Sequence, residues 1–115
     1  MLKRKYRLPV RAKLTRPSSH KSRTFWLKIY KNNLPFSRFG FVISKKIDKR
    51  AVVRNRTKRV LRSCIEELRQ KIENGYDMLF ILQKNAVGQK REAFYSEIEK
   101  LFKELKLIKW KKQQF

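Results

Sequence analysis

Acidic residues are what this chain has least of: nine Asp and Glu stand against 32 Lys and Arg over 115 residues, a formal net charge of +23. Carboxylates this sparse exclude the paired or clustered acids with which a nuclease acting alone holds divalent metal or activates a nucleophile. Asp48 stands alone in a cationic stretch. Glu66 and Glu67 are neighbours on a helical pattern and point about 100° apart, and Asp77 opens an apolar run. Histidine is almost missing as well. His20 sits in a Ser-rich stretch, and one His with one Cys leaves a zinc site short of ligands. No catalytic or metal-binding residue is assigned to the chain.

Cysteine and long apolar runs are equally scarce. The single Cys64 excludes an internal disulfide and suits a reducing cytoplasm, where this chain is expected to work. The longest apolar run, Met78 to Leu82, is far short of the roughly 20 residues that span a membrane. Charged residues 1–7 lead into no apolar stretch of the secretory kind. No membrane partner is expected, and no obligate protein partner is apparent.

What the chain does have is cations, unevenly placed. Fourteen Lys and Arg precede the first acid, Asp48, and the other eight acids all lie at or after Glu66. Self-repulsion on this scale destabilises the free chain, and an anionic partner relieves it. A hydrophobic content of 41% over this length supports one folded domain, residues 1–115, with a basic, mobile tail at 106–115.

Residues 45–62 concentrate the charge. From Ala51 onward Val53, Val60, Leu61, Cys64, Leu68 and Ile72 recur at helical spacing, predicting a helix that ends near Asn74-Gly75. Beside that stripe Arg54, Lys58 and Arg62 stack one turn apart, and Asn55 and Arg59 form a second row. A solvated helix face usually mixes signs. This one carries no acid between Asp48 and Glu66, which fits a surface built for phosphate.

Around it the chain reads as α/β. Pro9 and Pro17 bracket a short helix, and Ser18 to Ser22 read as loop. Thr24 to Lys31 alternates, with Phe25, Leu27 and Ile29 on one face and Trp26, Lys28 and Tyr30 on the other, a platform on which bases can stack. Phe25, Phe39 and Phe41 are assigned to the core. Asn32-Asn33-Leu34-Pro35 is a turn, after which Arg38 to Ser44 returns as a strand expected to pair antiparallel with the first. Asp77 to Gln83 is a buried central strand. Arg91 to about Leu105 is a second helix, with Phe94, Ile98, Leu101, Phe102 and Leu105 inward and an ordinary solvated face of Glu97, Glu99, Lys100, Lys103 and Glu104. The order argues a two-layer sandwich of helices on a small sheet.

Arg38-Phe39-Gly40-Phe41-Val42-Ile43-Ser44-Lys45-Lys46, followed by Ala51-Val52-Val53-Arg54-Asn55-Arg56-Thr57-Lys58-Arg59, resembles the signature of the protein subunit of bacterial ribonuclease P. The likeness extends in outline from about Phe25 to Leu107. It implies an α-β-β-β-α-β-α order with a small mixed sheet and a left-handed βαβ crossover, where physics alone favours the right-handed one. It also implies partners: a catalytic RNA holding Mg²⁺, and precursor tRNA whose 5′ leader that RNA removes. By matching position, Arg54, Asn55, Arg56, Lys58, Arg59 and Arg62, with Ser44, Lys45 and Lys46, are the RNA-binding residues. Trp26 and Lys28 match leader-groove positions, with Tyr30 next on the same face. Two features depart from the family. Ile47-Asp48-Lys49-Arg50 lacks the Gly common there, and residues 10–14 offer only Val10, Ala12 and Leu14 where the family's first helix carries aromatics. A small ribosomal protein shares the length, charge and α/β habit but does not account for this run. A DNA-binding module reading a major groove with residues 51–62 shows no dimer seam or helix-turn-helix spacing.

Overall fold

The computed structural model describes residues 2–9 and 17–109. The most apolar run takes the middle of the sheet as β4 (Tyr76–Leu82), because it can bury side chains on both faces. Met78, Phe80 and Leu82 are buried on one face, while Leu79 and Ile81 lie half-buried on the other. β2 (Phe25–Lys31) pairs with β4 antiparallel and β3 (Arg38–Val42) pairs with it parallel. β1 (Ser18–Lys21) adds to the outer edge of β2, giving the order β1-β2-β4-β3.

Two expectations are corrected here. Ser18 to Lys21 is a strand, not a loop: an edge strand needs only one ladder, so a polar sequence can serve. The expected pairing of β2 with β3 does not form, since β4 lies between them. The turn chemistry is real but bridges a gap. Asn32 Oδ1 accepts the Leu34 N–H (2.7 Å), Asn33 takes a left-handed φ of 58°, and Asn32 Nδ2 donates to Asp77 Oδ1 (2.9 Å). From the far side Arg38 donates to both oxygens of the same buried carboxylate at 2.8 and 2.6 Å. Asp77 thus joins the end of β2 to the start of β3 across the strand that separates them.

Both helices cover one face of the sheet, completing a two-layer α/β sandwich. Phe80 is the hub: Phe25 meets it edge-on at 5.1 Å, Phe41 stacks at 5.4 Å, and Phe102 lies 6.2 Å away. α1 (Ala51–Leu68) carries the crossover from β3 to β4, its parallel neighbour, and buries Thr57, Leu61, Cys64, Ile65 and Leu68. Val53 and Val60 sit half-buried at the flank. Thr57 can go inward because its hydroxyl donates to the Val53 carbonyl one turn back (2.8 Å). α2 (Arg91–Glu104) buries Phe94, Ile98 and Phe102, and the Cys64 thiol, itself fully buried, donates to the Arg91 carbonyl between the helices (3.5 Å). Burial pushes that thiol's pKa up, against the pull of Arg91.

α1 stops earlier than its periodicity predicts. It passes at Leu68 into a 3₁₀ turn, Arg69–Lys71, and Ile72 leaves the helix to form a bridge with Ile108. Gly75 does take a positive φ, 92°, but in the turn into β4 and not as a helix cap. The same bridge corrects the tail: Leu107 is buried and its carbonyl accepts the Glu73 N–H (2.7 Å), so residues 106–109 are docked. Residues 110–115, and the helix expected between Pro9 and Pro17, lie outside the described residues. At the other end Leu2 joins the core, Arg7 bridges to Phe39, and Leu8 lies over Gly40, where a Cβ would meet Leu8 Cδ2 at 3.1 Å and Leu79 Cδ1 at 3.2 Å.

Candidate nucleic-acid interface

The predicted phosphate-binding residues gather where β3 ends. The Ser44 carbonyl accepts the Ile47 N–H (3.0 Å) and Ser44 Oγ accepts the Lys46 N–H (3.0 Å), a turn that leaves Lys45 and Lys46 exposed. The next loop has no Gly and needs none, because none of its residues takes a positive φ. Asp48 shapes it instead. Its carboxylate accepts the Arg50 N–H (2.9 Å) and a two-point contact from the Arg50 guanidinium (3.0 and 2.8 Å), which hold its pKa at about 2. Asp48 is therefore paired, not solitary as its sequence setting indicates.

Arg54 braces the same loop, its Nη1 donating to the carbonyls of Asp48 and Lys49 at 2.9 Å each. The cause is angular: at about 100° per residue Arg54 falls in the sector of Leu61 and Ile65, which faces the body of the protein. Lys58 and Arg62 lie further round and are half-buried, and Asn55, Arg56 and Arg59 are exposed. Arg62 sits 5.5 Å over the Phe41 ring; burial, then Arg7 and Arg59, lower its pKa. The N-cap Arg50 makes no capping hydrogen bond and the first turn holds no acid, so the positive end of the helix dipole adds to the cations.

The helix-free face of the sheet supplies the other half. Strand register places Lys21, Trp26, Ile81 and Val42 in one row across it, and Lys28, Leu79 and Gly40 in the next. Trp26 is 38% exposed with Lys21 Nζ 5.8 Å from its ring centre, and Val42 is 46% exposed. This row lies at the same end of the sheet as Ser44 and the start of α1. Tyr30 shares the face but is 7% exposed, so its ring contributes to the floor and offers little stacking surface.

Glu97 was expected on a solvated face and is not. Its carboxylate accepts from Ser22 Oγ (2.6 Å), Thr24 N and Oγ1 (2.8 and 2.6 Å) and Gln89 Nε2 (3.0 Å), tying α2 to the β1–β2 turn. Burial opposes its charge, and these donors outweigh it, so its pKa is lowered. The helical period reveals which face Glu97 occupies; three of its four donors come from Ser22 and Thr24, more than 70 positions away, and leave no local signal.

Among the described residues no three His, Cys, Asp or Glu side chains gather where they could hold a metal ion, and no helix is long and apolar enough to cross a membrane. A cluster of cations suited to phosphate beside an exposed aromatic defines a small basic protein of the α/β class. The family model described as ribonuclease P matches residues 2–106, and the chain belongs to that family. It is 39% identical over 72 residues to the ribonuclease P protein component of Synechocystis, covering 63% of this chain and 58% of that one. The match to the Clostridium kluyveri component is 34% identical over 101 residues, covering 86% and 89%. The ribonuclease P protein of Staphylococcus aureus shares the fold with a TM-score of 0.70 at 24% identity, covering 94% of this chain and 95% of that one. The chain spans about three fifths of the Synechocystis relative's length. These matches give the ribosomal alternative no support.

Proposed function

We propose that the chain is the protein component of ribonuclease P, which assists a catalytic RNA in removing the 5′ leader from precursor tRNA in the cytoplasm. The observation that carries this is the meeting, at one end of the sheet, of the Ser44 turn, the acid-free start of α1 and the exposed Trp26 face. Lys45, Lys46, Asn55, Arg56, Lys58, Arg59 and Arg62 bind RNA backbone together with Arg54, which also shapes the loop. Trp26 and Lys28 receive the single-stranded leader by stacking and charge, with Tyr30 beneath them. Mg²⁺ is held mainly by the RNA, and the bond is cut there. Titrating Mg²⁺ in leader cleavage by a bacterial ribonuclease P RNA, with and without this chain, tests the reading. The Mg²⁺ requirement falls when the chain is present; an unchanged requirement overturns the proposal.

A further inference from the structure

At the opposite end of α1, Lys5, Tyr6, Phe36, Arg69 and Lys109 line a cavity of about 350 Å³ with no acid in its wall. The Tyr6 and Phe36 rings meet edge to face at 5.7 Å. The Arg69 guanidinium lies 4.1 Å over Tyr6, and Lys5 Nζ is 5.1 Å from both ring centres. Among the described residues none of the three cations forms an ion pair. Charge of one sign, held beside aromatic surface with no counterion among the described residues, is matched by a ligand that is both anionic and flat.

The position fits one class of ligand. At about 100° per residue Arg69 falls in the same sector as Lys58 and Arg62, so it closes the cation row that starts near the loop. Eighteen residues at about 1.5 Å each put it some 27 Å from the start of α1. Arg7, close enough to Arg62 to lower its pKa, fills part of the interval. A polyanion lying along this side of α1 meets cations at both ends, with Glu66, one turn past Arg62, the acid between them.

We propose that the cavity holds one unpaired nucleotide of RNA, stacked against Tyr6, Phe36 or the Arg69 plane, with its phosphate on Lys5, Arg69 and Lys109. This rests on the RNA-partner reading above. Trp26 stands beside Ile81 at one end of β4, whereas Phe36 and Ser37 precede Arg38, which stands beside Asp77 at the other, so the catalytic RNA is the nearer source than the leader.

The test is binding and chemical probing of a bacterial ribonuclease P RNA with the full chain, Tyr6→Leu, the double variant Lys5→Gln/Lys109→Gln, and Arg59→Gln as a control midway along α1 and outside the cavity wall. One RNA nucleotide protected by wild type becomes reactive in the first two variants and stays protected in Arg59→Gln. Tyr6→Leu weakens binding about fivefold or more, and the lysine variant flattens the salt dependence by up to about 2 units in log–log slope. Thermal melting shows whether Tyr6→Leu is folded; the lysine variant, changed only at exposed side chains, decides the matter if it is not. Repeating the probing with precursor tRNA, with and without its leader, separates the two sources, and an effect confined to leader-bearing precursor moves the nucleotide to the leader. Unchanged affinity, slope and protection in a folded variant, with Arg59→Gln still weakened, overturn the cavity proposal alone. A wild-type chain that leaves the RNA unbound overturns both readings.

Discussion

The two helices lie on the same sheet face and solve opposite problems. α2 follows the dipole, with Glu92 in its first turn and Lys103 in its last, and its half-buried Glu97 is held by four hydrogen bonds. Both helices lack a side-chain cap, but α1 has no acid in its first turn, no base in its last, and Arg54 and Arg56 beside its N-terminus. Taken alone, α1 is the poorer helix. The difference teaches that α1 keeps an electrostatic strain which an anion relieves, while α2 and the Phe80 hub hold the fold in the meantime.

Substitutions that exchange these roles sharpen or break the comparison. The largest effect is expected from replacing Arg56, Lys58 and Arg59 together by Gln: the log–log salt slope of binding to a ribonuclease P RNA flattens by about 2 to 3 units. The melting temperature meanwhile holds or rises, because repulsion is relieved. Neutralising Lys100 and Lys103 on α2 is the matched control, and an equal loss of slope there would erase the distinction. Glu97→Gln should do the reverse, lowering stability in urea by about 1–3 kcal/mol through weakened charged hydrogen bonds while RNA affinity of the folded protein is kept.

Smaller effects follow from pH and from the loop. Glu97 and Asp48 both have lowered pKa values, so the stability they add is complete above the ordinary carboxylate range and is lost as pH falls through their folded values, about 2 for Asp48. Urea midpoints of wild type should therefore fall more steeply on acidification than those of Glu97→Gln; parallel curves would remove Glu97 from the account. Arg54→Ala loses two loop hydrogen bonds, about 0.5–1.5 kcal/mol each. It should weaken leader-bearing precursor more than mature tRNA, and equal weakening would confine Arg54 to the loop and the RNA subunit.

Much of this was legible in the chain. The alternation of Phe25 to Lys31, the buried run at Met78 and the stripe of Phe94, Ile98 and Phe102 each fold as their period requires, since burial of apolar side chains dominates locally. The cation rows of α1 were legible for the same reason. Pairing was not: nothing local in β2 or β3 says that a strand from residue 76 onward will part them, or that Ser18 to Lys21 will find an edge. The burial of Tyr30 likewise depends on what arrives from elsewhere, whereas Arg54 and Asp48 find their partners within six residues along the chain. The cavity at Arg69 joins residues from four separate stretches, and only folding brings them together.

The buried Cys64 gives this molecule a built-in clock. Its thiol is sealed between α1 and α2 and held neutral by its surroundings, so a thiol-reactive dye can reach it only when the helices part. The labelling rate then counts those openings in an unmodified chain, and a polyanion that clamps α1 should slow the count.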